Sequence, residues 1–211
     1  MSSTTEQRID HEQKLPPTGR ISFEQFLEWC DEDTLAEWVD GEIVMTSPAS
    51  DQHQDLSDFL VAVIRPFSET RQLGQLRSAP FLMRTEARPS GREPDLMFVA
   101  QERIDLVKTN YLDGAADLVV EIVSPESIGR DRGEKFVEYE AAGVREYWLI
   151  DPLRQQAEFY QLGADDHYRL GSVADGIYRS QVLPGFWLRV AWLWQRPMPT
   201  ILSVLKELGV L

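Results

Sequence analysis

The run Leu-Val-Val-Glu-Ile-Val at 118–123 holds one ionisable side chain, Glu121, inside an otherwise aliphatic stretch. Such a run reads as a strand covered on both faces. Side chains alternate along a strand, so Val119, Glu121 and Val123 share one face and Leu118, Val120 and Ile122 the other. An ionised carboxylate among buried aliphatics is costly unless a cation or a proton compensates it. Any fold that buries this strand must therefore bring a compensating group to Glu121. Two other groups stand out nearby. Asp95, after Glu93 and Pro94, opens the apolar run 96–99, and Lys135 lies in the first turn of a helix that follows the Glu121 strand.

The rest of the chain supplies a frame for these three residues. Residues 1–19 are polar, proline-bearing and unpatterned, which predicts a mobile arm ahead of one domain over 20–211. Ser22 caps a short helix to Cys30, and 37–46 reads as a hairpin turning at Asp40-Gly41. A longer helix is expected over 51–67, with Leu56, Phe59, Leu60, Val63, Ile64 and Phe67 on its apolar face. Strands are expected at 76–83, 95–99, 118–123 and 146–150. The helix 131–142 is bounded by an Asp131/Glu134 capping box and by Gly143. Further antiparallel strands follow at 157–162, 168–173 and 186–190, then a helix from Pro199-Thr200 to Leu208. This order predicts an α/β (or α+β) fold, a mixed central sheet flanked by helices with extra antiparallel strands toward the C-terminus.

Composition narrows the function classes. No apolar run approaches the roughly 18 residues of a membrane span. The polar N-terminus lacks the apolar core of a secretory signal, and one cysteine, Cys30, leaves no internal disulfide framework. A cytoplasmic protein is expected. Its 35 acidic against 21 basic residues, formally −14, argue against non-specific coating of DNA, which needs a basic face. Acidity is compatible with a metal site, because bound cations neutralise it locally.

If the strands of Asp95 and Glu121 are neighbours, their carboxylates converge on one hard divalent cation. Mg²⁺ is usually held by one or two carboxylates, with water and substrate oxygens completing its shell. Lys135 in a first turn opposes the helix dipole, at a cost of about 0.3–1 kcal/mol. It either serves that site or pairs with Asp131, four residues before it. Arg130 and Arg132 are read as solvated loop charges or as phosphate contacts, since guanidinium forks match phosphate oxygens. His53 is read as a phosphate or metal-water contact, or as a capping or surface histidine. Tyr139, on the Lys135 face of its helix, is read as a packing residue.

Glu93-Pro-Asp95, Val120-Glu-Ile-Val-Ser-Pro125, Asp131-Arg-Gly-Glu-Lys135, Tyr139 and the stretch from Ala142 to Asp151-Pro152 together resemble the Uma-type restriction endonuclease family of the PD-(D/E)xK nuclease superfamily. The likeness extends over about residues 22–195. It implies a restriction-endonuclease-like core and a Mg²⁺-dependent DNA endonuclease, with Mn²⁺ as a substitute ion. Asp95 and Glu121 would be the metal ligands, and the Ile122 carbonyl a third. The superfamily lysine is expected two residues after the glutamate, where this chain has Val123; Lys135 would replace it from the helix. Glu42, or in second place Glu37, would be the extra acidic residue of an early element. A homodimer would suit cleavage of a two-fold symmetric duplex. Two rivals stand beside this reading: a non-catalytic interaction module on the same fold, and a metal-dependent hydrolase of smaller phosphoesters.

Overall fold

A computed structural model describes residues 15–31 and 34–211. Most of the expected arm, residues 1–14, therefore lies outside the described residues. The first helix, α1 (Phe23–Trp29), starts at a capping box in which the Ser22 hydroxyl accepts from the Gln25 amide and the Gln25 side chain accepts from the Ser22 amide. Strands β1 (Ala36–Val39) and β2 (Glu42–Met45) pair as the expected hairpin. Asp40 and Gly41 both take positive φ, 47° and 87°, the backbone demanded by a two-residue turn matching strand twist. The long helix α2 (Asp51–Thr70) is capped by Ser50.

The run expected as one strand at 76–83 is two. Pro80 divides β3 (Gly74–Ser78) from β4 (Leu82–Thr85), and the halves join different sheets. Next come β5 (Ser90–Arg92), β6 (Leu96–Ala100), β7 (Tyr111–Asp113) and β8 (Leu118–Ile122). A π-helical turn at Arg130–Glu134 leads into α3 (Lys135–Ala142), which ends at left-handed Gly143. The cap of this helical stretch is not at Asp131. Ser124 and Ser127 exchange side-chain-to-amide hydrogen bonds one turn earlier, at 3.0 and 3.1 Å, with Pro125 between them. Proline suits a first helical position, so Ser124-Pro125 was the stronger start signal.

The chain closes with β9 (Glu146–Asp151), β10 (Gln156–Leu162), β11 (Tyr168–Leu170), β12 (Val173–Ala174), β13 (Ile177–Arg179), β14 (Trp187–Arg189) and α4 (Ile201–Glu207). Six strands form the sheet that matters here, in the order β11-β10-β9-β8-β6-β3, mixed because β8 and β9 run parallel. A five-stranded sheet, β2-β1-β5-β4-β7, and a small sheet of β12 to β14 complete the mixed α/β architecture.

The face alternation read from 118–123 holds. Leu118, Val120 and Ile122 pack with the apolar side of α2. Val119 and Val123 pack on the opposite face with Tyr139 of α3. Each large aliphatic buried this way contributes about 1.5–3 kcal/mol, which fixes the register of β8. Glu121 is thereby forced to look toward α3. Strand β6 pairs antiparallel with β8, Leu96 opposite Val120, so Asp95 sits at the strand end beside Glu121.

Candidate active site

Asp95 and Glu121 line a cleft of about 1150 Å³ together with His53 and the start of the α3 helical segment. Asp95 is held by one oxygen. Its Oδ2 accepts the Ile122 amide at 2.6 Å and faces His53 Nε2 at 3.1 Å. Glu121 is also held by one oxygen: Oε1 accepts from Lys135 Nζ at 2.9 Å and from the Tyr139 hydroxyl at 2.7 Å. Each carboxylate thus keeps its second oxygen free of hydrogen bonds. Lys135 is buried and does reach back from its helix, touching Glu37 at 3.1 Å and Asp131 at 3.6 Å as well. Lys135 thus pairs with Asp131 within its own helix and also reaches Glu121 on the strand. Asp131, Lys135 and Tyr139 recur every four residues and so present one face to β8.

The Uma2 family model, described as "Putative restriction endonuclease", matches residues 23–191. The chain belongs to the Uma2 family. A crystal structure described as a "putative nuclease belonging to DUF820" from Anabaena variabilis superposes with a TM-score of 0.70 at 18% identity, covering 82% of this chain and 97% of that one. That likeness establishes the shared fold. No curated protein matches. The Uma2 assignment bears out the resemblance carried by the motifs and supports a nuclease function.

Of the two early acidic candidates in this Uma2 chain, Glu37 lines the cleft and Glu42 does not. Glu42 opens β2 with an exposed side chain and lines a separate shallow depression with Pro16, Pro17 and Arg20. Glu37, one strand away, is buried and binds both Lys135 and Arg92. Arg92 escaped the sequence reading altogether. It is fully buried, with Glu138 gripping it at 2.7 and 2.8 Å and Glu37 at 2.9 Å. Its strand, Ser-Gly-Arg, has no apolar residue to mark it, and only an unpaired arginine beside the Glu93-Pro-Asp95 motif could have raised suspicion.

The two arginine candidates part company. Arg132 turns to Glu158 at 2.6 Å, whereas Arg130 lines the cleft. Ser50, not His53, caps α2 by accepting the His53 amide, and the His53 ring meets Asp95 in the cleft. Tyr139 packs in the core, and its hydroxyl is satisfied by Glu121.

Eight carboxylates line the cleft, among them those of Glu37, Glu93, Asp95, Glu121 and Asp131. Burial pushes Glu121 up to about 8; Lys135 opposes the shift, and Asp131, Asp95 and Glu37 reinforce it. Burial and the charge of Glu37 push Glu93 to about 7. Burial likewise raises Asp131 against the pull of Lys135. Glu37 goes the other way: burial opposes its charge, but Lys135 and Arg92 outweigh it and hold the carboxyl below its ordinary value. Burial disfavours charge on Lys135, yet Glu121, Glu37 and Asp131 raise its pKa, so the ammonium persists. For His53 burial is likewise outweighed, by Asp95 first, and the imidazolium is favoured.

Among the described residues no group of three or more His, Cys, Asp or Glu side chains is arranged as a metal cage. The donors on offer are two carboxylates with one free oxygen each, and a strand-end backbone. That sparse, all-oxygen set with surplus negative charge fits a hard cation that keeps several waters, as Mg²⁺ does. Among the described residues, no helix is long and apolar enough to cross a membrane.

Proposed function

We propose that this chain is a divalent-metal-dependent DNA endonuclease, working through one domain of residues 20–211 and as a homodimer on duplex DNA. The observation that carries the reading is Lys135 Nζ at 2.9 Å from Glu121, which supplies from α3 the lysine that Val123 replaces on the strand. Asp95, Glu121 and the Ile122 carbonyl would hold Mg²⁺, or Mn²⁺ in its place. When bound, the ion supplies Lewis-acid stabilisation of the scissile phosphate and acidifies water.

The protein's own part follows from charges and contacts. Lys135 stays protonated, so it acts as a donor that orients the incoming water and offsets phosphate charge, and not as a general base. Tyr139 and Lys135 together fix the rotamer of Glu121 and leave its other oxygen to the cleft. The Ile122 amide does the same for Asp95, aided by His53. Glu37 anchors Lys135 from the hairpin side. The net reaction consumes one water and one phosphodiester bond and leaves a phosphomonoester and a hydroxyl.

Incubation of purified protein with supercoiled plasmid and Mg²⁺ tests this. Nicking or linearisation is expected, lost in chelator and in Glu121→Ala; equal cleavage by that variant at matched purity would remove the site from the reading. The formal charge of −14 favours one rival, a non-catalytic interaction module. Titration calorimetry separates the two. Mg²⁺ heats that vanish in Asp95→Ala support the nuclease, and no heats with wild type support the module.

A further inference from the structure

We propose that Arg130 grips a backbone phosphate of the nucleic-acid substrate in the active-site cleft, a step that rests on the nuclease reading above. Three basic side chains line the cleft, those of His53, Lys135 and Arg130. The first two are already engaged by carboxylates, His53 by Asp95 and Lys135 by Glu121, Glu37 and Asp131. Arg130 has no ion pair among the described residues, and its buried Nε lacks any hydrogen-bond acceptor. A guanidinium N–H left in that state carries a desolvation penalty that an incoming acceptor would relieve. Phosphate suits it best, because the planar fork offers two parallel donors to two oxygens.

The placement favours substrate over solvent. Arg130 begins the π-helical turn, and its carbonyl accepts the Lys135 amide, so the backbones of the two cations are tied by one hydrogen bond. π turns of this kind recur at functional sites. The cleft otherwise presents an excess of carboxylates to a polyanion, so a free guanidinium has an electrostatic task there that a bound metal alone would only partly meet. Arg132, two residues on, serves as an internal contrast. Its guanidinium is taken by Glu158 at 2.6 Å and lies 3.9 Å from Asp151, so it has no fork to offer. A phosphate contact carries no base information, and the grip is therefore indifferent to sequence.

Fluorescence anisotropy with two labelled duplexes of unrelated sequence tests the assignment, using the full chain and Ca²⁺ in place of Mg²⁺ to hold the strand uncut. Arg130→Gln is expected to weaken both duplexes equally, on the order of tenfold at low salt, and to reduce the slope of log affinity against log salt by about one. Arg132→Gln should stay within about twofold of wild type. Arg130→Lys keeps the charge without the fork and should retain the slope while losing affinity; this variant decides the matter if Arg130→Gln folds poorly. Wild-type affinity and slope in the Arg130 variants would overturn the proposal and leave the nuclease reading standing. Absence of salt-dependent binding by the wild type would overturn the nuclease reading itself, and this grip with it.

Discussion

Glu121 and Glu146 stand on adjacent parallel strands, both buried, and differ in how completely they are answered. Glu146 receives donors on both oxygens. Trp148 Nε1 and the Tyr178 hydroxyl bind Oε1 at 2.6 and 2.7 Å, while the Ser180 hydroxyl and the Gln181 and Val182 amides bind Oε2 at 2.9–3.0 Å. No cation is among them, and none is needed, because hydrogen bonds to the charged form replace hydration. Glu121 has a lysine and a tyrosine on one oxygen and nothing on the other, with acids around it. Burial of a carboxylate therefore says little about function. Unused acceptor capacity beside a cleft says much more.

The sharpest way to break this contrast is to neutralise each glutamate in turn. Glu121→Gln is expected to cost metal-dependent cleavage on the order of a thousandfold or more while thermal stability holds or rises. A plasmid assay and a melting curve on the same sample read both. Retained cleavage, or loss of cleavage only through unfolding, would erase the distinction. Glu146→Gln should do the reverse. Five donors lose a charged acceptor, and denaturant unfolding should show a loss of about 3 kcal/mol with the specific activity of the folded fraction intact. An unchanged midpoint would mean that the loop at 180–182 does not depend on that anion.

Glu93 extends the comparison to a carboxylate with no cation of its own. Its folded pKa of about 7 lies above the ordinary 4.5, so between these values the folded chain holds a proton that the unfolded chain has released. Stability of the metal-free protein should therefore fall as pH rises across that window and level off above it, by about 2 kcal/mol from this group. Glu93→Gln should flatten the fall; parallel curves for Glu93→Gln and wild type would sink the assignment. The smallest effect is expected from Tyr139→Phe. It removes one of the two donors on Glu121 Oε1, worth about 1 kcal/mol, and should slow cleavage several-fold without altering affinity for DNA. A change in affinity alone would move Tyr139 from positioning the carboxylate to shaping the cleft.

Asp95, Glu121 and Lys135 could be found in the sequence because each breaks a local rule: an acid in an aliphatic strand, an acid at a strand mouth, a cation at the wrong end of a helix. Their partners could not be found that way. Glu37 and Glu42 lie on either side of one hairpin turn and share one of its faces, opposite Val44 and Val39, so alternation does not choose between them. What covers Glu37 is Arg92, delivered by a three-residue polar strand that pairs Gly91 with Trp38. Likewise β7 and β13 are too short to show a period, and Pro80 splits a run whose hydrophobicity looked continuous. Helices and the faces of long strands follow from local pattern, whereas the choice among short polar strands follows from tertiary pairing.

Taking the lysine from α3 has a consequence for how such a site can change over time. When acid and lysine share one strand, a register slip moves both together. Here the lysine is mounted on a separate lever, braced by Asp131 behind it and by Glu37 on the hairpin. Insertions in the segment at 123–129 would shift the lysine relative to the acids without touching the strand. The segment between β8 and α3 thus becomes a dial for the placement of Lys135, independent of the core that carries Asp95 and Glu121.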